Sequence, residues 1–141
     1  ITYDNWFKES TLHKDGSVQK IVSMLKEKDH TYELEGATWF KATEFGADKD
    51  FVLVRSNGIP TYVVPDIAYH YNKLVTRKFD KAIDVLGADH HGYVPRLKAA
   101  LTALHVDANK LDVILLHPFP IMQKYYANIK ASRQPSIKVV T

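Results

Sequence analysis

Between Val85 and Arg96 the chain reads VLGADHHGYVPR, which sets one carboxylate, Asp89, and two imidazoles, His90 and His91, between Gly87 and Gly92. Glycines at such a place let backbone approach a ligand closely. A helix starting just beyond offers unpaired N–H groups to an anion. In that setting Asp89 can accept hydrogen bonds from ribose hydroxyls, and His90 and His91 can donate to a phosphate or a base. Each has a structural counterpart: Asp89 as the cap of the following helix, the histidines as packed or solvated side chains.

A second candidate lies upstream. Tyr62 and Asp66 bracket the bend in YVVPD, where an apolar strand pattern gives way to a helical one. A single carboxylate there can take a planar guanidinium on both prongs, with a tyrosine ring or hydroxyl beside it. A lysine ammonium cannot fill both prongs of that fork. The plain reading of Asp66 is an N-cap opening the helix. The letters D-H-H are also similar to the signature of the DHH phosphoesterases, which bind metal through Asp and His. Such a site needs further carboxylates, and Asp66 and Asp84 form no D-x-D cluster with it.

The elements that must position these residues follow from periodicity. Residues 16–28 put Val18, Ile21, Val22 and Leu25 on one helical face, with Ser17 as N-cap. TYELEGATWFKAT predicts a hairpin turning at Glu35-Gly36. DFVLVRSNGIPTYVV predicts a second one, with strands at residues 51–55 and 61–64 around Asn57-Gly58. From Asp66 the pattern is helical, carrying Ile67, Tyr71, Leu74 and Val75. KAIDVLGA and LDVILLHPF read as buried strands flanking a helix that carries Val94, Leu97, Leu101 and Leu104. Residues 80–117 are therefore β–α–β, the unit of a parallel sheet, and ligands bind outside the carboxyl ends of such strands. The expected class is α/β: part of a Rossmann-type nucleotide-binding domain preceded by a β-hairpin-rich insert. Its divisions are 1–64, 65–117 and an irregular tail, 118–141.

Composition sets outer bounds. With 141 residues, 45% hydrophobic and 25% charged, the chain can bury the core of one ordinary domain. It has no cysteine, which excludes disulfides and thiolate metal ligands and suits a reducing, cytoplasmic setting. A net charge of +3 is compatible with a polyanionic partner without identifying one. No apolar run approaches the ~20 residues of a membrane span. The start, ITYDNWFKES, lacks a signal-peptide pattern and reads as an interior cut.

Taken together, LEGATWFKATEFGADKDFVLVRSNGIPTYVVPDIAYH at 34–70 and FDKAIDVLGADHHGYVPRLKAAL at 79–101 resemble the arginyl-tRNA synthetases, class I enzymes with a Rossmann core. The opening YDNWFKESTLHKDGSVQKIVSMLKEK is similar to the family's segment just before this block. The resemblance implies ATP-dependent activation of arginine to arginyl-adenylate and its transfer to tRNA(Arg). Carried over, Tyr62 and Asp66 look like the arginine side-chain contacts. Gly87, Asp89 and His90 look like the segment lining the ATP and adenosine pocket. No protein nucleophile is implied, so no catalytic residue is assigned. Mg2+ would accompany ATP in the full-length enzyme, and no protein-bound metal is expected.

The family's early His-x-Gly-His signature does not occur in the chain, and no Lys-Met-Ser-Lys loop aligns with IKASRQPSIKVV. Both hold the ATP phosphates, so the expectation is an interior catalytic-core slice that is inactive alone. A half fold leaves an apolar sheet edge and face bare, which predicts self-association; with no apolar run long enough to span a bilayer, no membrane partner is expected. The alternatives are a metal-dependent DHH-type phosphoesterase and a non-catalytic arginine-binding module. The synthetase reading requires Asp66 and the 87–90 turn to lie on one side of the molecule.

Overall fold

The computed structural model describes residues 2–117. Helices α1 (Ser10–Lys14) and α2 (Ser17–Glu27) are joined through Gly16, whose φ of 82° is the left-handed conformation glycine adopts without strain. Val18, Ile21 and Leu25 are buried and Val22 half-buried, as the helical spacing predicts. The cap differs from expectation. Ser17 is the first helical residue, and its N–H donates to Asp15 Oδ1 at 2.9 Å. The aspartate two residues upstream therefore does the work assigned to the serine hydroxyl.

Strands β1 (Thr31–Leu34) and β2 (Ala37–Phe40) pair antiparallel with Leu34 opposite Ala37. Glu35 and Gly36 both have positive φ, 52° and 76°, the twist a two-residue hairpin turn needs. Strand β3 (Phe51–Val54) adds antiparallel to β2, completing a sheet in the order β1-β2-β3.

The second hairpin is only half formed. Its turn exists, with Gly58 N–H on Arg55 O at 2.8 Å and Ile59 N–H on Asn57 Oδ1 at 3.0 Å. The return arm ends after a bridge between Val54 and Pro60 and the bond from Thr61 N–H to Leu53 O. Residues 63 and 64, expected as strand, instead open helix α3 (Val63–Tyr71). Proline is tolerated in a first helical turn, where the N–H has no intrahelical partner to lose. Pro65 therefore sits inside the helix, which begins three residues before Asp66. A π-helical turn, Asn72–Thr76, prolongs α3 and buries Lys73 and Leu74.

The β–α–β unit forms as read. Strand β4 (Ala82–Gly87) runs through a short 3-10 turn (Ala88–His90) into α4 (Val94–Ala103), and the chain returns as β5 (Leu111–Leu116). β4 and β5 are parallel, in register from Ala82 opposite Leu111 to Gly87 opposite Leu116. Burial alternates along both strands instead of running continuously. Ala82, Asp84 and Leu111 face the core, whereas Ile83, Val85, Ile114 and Leu116 are exposed. Helix α3 packs against α1, α2 and α4. Their shared core is built from Leu12, Ile21, Leu25, Ile67, Leu97 and Leu101, all essentially inaccessible. The tail at 118–141 lies outside the described residues.

Candidate functional site

Asp66 lies in the first turn of α3, half-buried, and caps nothing: no side chain caps that helix. Its Oδ2 instead accepts a hydrogen bond from the Tyr93 hydroxyl at 2.5 Å, across 27 positions of sequence. That length belongs to the strong, charge-assisted class. Among the described residues Oδ1 has no hydrogen-bond partner, so one oxygen is held and the other is uncommitted. Tyr62 is the residue before α3, 80% exposed and one helical turn from Asp66 on the same side.

Tyr93 comes from the segment that ends β4. The backbone winds up after Gly87, with His91 N–H on Ala88 O and Tyr93 N–H on His90 O at 3.0 Å. The His90 ring meets the Tyr93 ring edge-on, centroids 6.4 Å apart. Asp89 does not cap α4, whose start has no side-chain cap and carries Pro95 in its first turn. Its carboxylate folds back over Gly87, so a Cβ at 87 would stand 2.7 Å from Asp89 Oδ1. A side chain at 87 would therefore displace the exposed Asp89 carboxylate rather than meet packed backbone, and the φ of −65° suits any residue. Asp89 Oδ1 also faces His90 Nε2 at 3.8 Å, both side chains being largely open to solvent. Around Gly92 nothing is close.

Beneath Asp66 runs a buried polar chain. His70 Nδ1 lies 2.7 Å from the Asp66 carbonyl and its Nε2 lies 2.6 Å from Asp84 Oδ2. A carbonyl and a carboxylate both accept, so His70 presents each of its ring nitrogens to an acceptor. Lys73 Nζ reaches Asp84 Oδ1 at 3.4 Å and stands 4.5 Å above the Tyr69 ring. Burial by itself would raise the Asp84 carboxyl. The hydrogen bond and charge of His70, with Lys73 behind them, outweigh it and hold the group below its ordinary value. Tyr93 is pushed strongly upward, first by burial and then by the Asp66 carboxylate, and so remains a protonated donor.

The arrangement brings Asp66 and the 87–90 segment onto one shared side chain, Tyr93. Tyr93, His70 and Lys73 are not among the candidates read from the sequence, and Asp84 entered only as a metal ligand. Two signals were available. Asp84 is a lone carboxylate pointing inward on an apolar strand, which demands a partner. His70 stands four residues after Asp66, where helical side chains meet. Among the described residues no group of three or more His, Cys, Asp or Glu side chains is placed to hold a metal ion. Asp84 is occupied by His70 and Lys73, and nothing supports the phosphoesterase reading.

Known proteins agree on one family. Residues 4–127 match the family described as tRNA synthetases class I (R), catalytic domain. Arginine–tRNA ligase of Caldanaerobacter subterraneus subsp. tengcongensis is 59% identical over 116 residues, which are 82% of this chain and 21% of the relative. That of Acetivibrio thermocellus is 52% identical over 115 residues, 82% of this chain and 20% of the relative. The chain therefore spans about one fifth of the curated relatives it matches. A crystal structure of an arginyl-tRNA synthetase from Campylobacter jejuni superposes with a TM-score of 0.75 at 39% identity, covering 82% of this chain and 25% of that one. Arginyl-tRNA synthetase from Thermus thermophilus, 18% identical, shares the fold with a TM-score of 0.66 over 89% of this chain and 31% of that one. With a catalytic-domain match over most of its length and relatives above half identity, the chain belongs to the class I arginyl-tRNA synthetases, as part of their catalytic domain.

Proposed function

We propose that this chain supplies the arginine-selecting wall and part of the adenosine pocket of an arginine–tRNA ligase. The whole protein would activate arginine with ATP to arginyl-adenylate and pass it to tRNA(Arg). Asp66 receives the guanidinium on Oδ1 and the remaining lone pair of Oδ2, and Tyr62 lies along the flat cation. Gly87, Asp89 and His90 line the adenosine side, Asp89 accepting from ribose hydroxyls. The observation that carries this reading is the Asp66 carboxylate, fixed by Tyr93 beside the strand-end turn where nucleotide pockets form.

The chemistry asks for no protein nucleophile. The arginine carboxylate attacks the α-phosphate in line and pyrophosphate leaves, with the protein contributing position and charge. Mg2+ would arrive on the ATP phosphates as part of the substrate. The isolated chain is expected to be inactive, since the His-x-Gly-His signature is not in its 141 residues. In the chain's organisation α3 is the seam between the hairpin insert and the nucleotide-binding half. The exposed face formed by Ile83, Val85, Ile114 and Leu116 is read as a self-association surface of the isolated chain. No helix of the described residues is long and apolar enough to cross a membrane, and a cytoplasmic setting fits protein synthesis.

The test is a chimera in which the matched stretch of this chain replaces its counterpart in the Caldanaerobacter ligase. With tRNA(Arg) present throughout, arginine-dependent ATP–pyrophosphate exchange by the chimera, and none from the 141-residue chain alone, is the expected result. A folded chimera without exchange would overturn the reading.

A further inference from the structure

Asp66 stands on a helix, on a side chain with two torsions, at a half-buried position. A carboxylate left to rotate there would meet a guanidinium in many planes, and fork recognition requires one. Two bonds restrict it. The backbone of Asp66 is held from below, its carbonyl accepting from His70 Nδ1 at 2.7 Å. The carboxylate is held from the side by the Tyr93 hydroxyl at 2.5 Å on Oδ2. Tyr93 is half-buried and packs against the core, so the hydroxyl delivers its proton from a fixed direction.

From this geometry we infer that Tyr93 is a positioning residue for amino-acid selection: its hydroxyl sets the plane of the Asp66 carboxylate. The inference rests on the reading of Asp66 as the guanidinium contact. One lone pair of Oδ2 is spent on the phenol, which leaves Oδ1 and the other lone pair of Oδ2 for a planar cation. The phenol donates without adding charge, so it orders the carboxylate without cancelling the attraction for a cation. Tyr93 also ends the turn that begins at Gly87. Its N–H is on His90 O at 3.0 Å and its ring is against the His90 ring. The orientation of Asp66 is therefore referenced to the same backbone turn that faces the nucleotide.

The experiment is a double-mutant cycle in the chimera, using pyrophosphate exchange with arginine and ATP varied separately. Tyr93→Phe keeps the ring and removes only the hydroxyl. The arginine KM is expected to rise roughly tenfold, as for loss of a hydrogen bond to a charged acceptor. The ATP KM and the rate at saturating arginine should hold within about twofold. Asp66→Asn should raise the arginine KM further, and adding Tyr93→Phe to it should change nothing more, because the hydroxyl acts through the carboxylate. A second readout is proton NMR of the 141-residue chain. The Tyr93 hydroxyl should give a low-field, exchange-protected resonance that is absent in Tyr93→Phe and displaced in Asp66→Asn.

Additive effects in the cycle, equal changes in both KM values, or loss of cooperative unfolding in Tyr93→Phe would overturn the inference. If Asp66→Asn raises the arginine KM while Tyr93→Phe leaves it unchanged, the inference falls and the arginine reading stands. If Asp66→Asn itself leaves the arginine KM unchanged, the reading of Asp66 falls.

Discussion

His70 and Asp84 meet in the interior at 2.6 Å, with Lys73 on the other oxygen of the same carboxylate. The pair ties the end of α3 to the middle of β4, so the helix bearing Asp66 is anchored to the strand that leads into the 87–90 turn. Removing one member of a buried ion pair leaves the others uncompensated, at a cost of about 3–5 kcal/mol. Asp84→Asn should lower stability by about that amount in urea denaturation, and a loss under about 1 kcal/mol would contradict the assignment.

The same pair sets an acid dependence. Asp84 is held below its ordinary value of 3.8 by His70 and Lys73 against the effect of burial. Its contribution is thus complete above that value and disappears as pH falls through the lower, folded-state one. The urea midpoint should decline as pH falls below the ordinary carboxyl value of 3.8, and the decline should be shallower in Asp84→Asn. Parallel curves for the two proteins would show that another carboxylate governs acid unfolding.

Gly87→Ala tests the adenosine side. The new methyl would stand 2.7 Å from Asp89 Oδ1, and Asp89 is exposed enough to swing away. Stability should change by less than about 0.5 kcal/mol, as at other exposed positions. In the chimera the ATP KM should rise roughly tenfold through the displaced carboxylate, with the arginine KM within about twofold. An unchanged ATP KM would remove Asp89 from the pocket.

Much of this architecture is legible in the chain, and the exceptions have local causes. Glu35-Gly36 announces its turn because a two-residue hairpin needs positive φ at both positions. The switch from alternating to helical spacing around GADHHG marks the β–α–β unit equally well. Val63 and Val64 mislead, since β-branched residues before a proline look like a strand, yet a proline in the first turn costs a helix nothing. Ser17 and Asp66 mislead for one shared reason: cap preferences name residue types, while the cap is decided by which side chain reaches the N–H groups. The site's central contact was beyond local reading. Tyr93 and Asp66 are 27 residues apart, and only the packing of α4 against α3 brings them together.

The bare face of β4 and β5 gives a prediction about the isolated chain. Ile83, Val85, Ile114 and Leu116 are exposed on a parallel strand pair, a structure normally covered on both faces. Sedimentation should show concentration-dependent association that Ile114→Glu weakens, while the thermal midpoint holds because the residue is exposed. A monomer at every concentration would contradict this.

Selection of the arginine guanidinium by the Asp66 carboxylate is read from the arginine KM of Asp66→Asn in the chimera. Loss of one partner from a charge pair predicts a rise of roughly 30-fold or more, with the ATP KM within about threefold. An arginine KM equal to that of the unmodified chimera would contradict it.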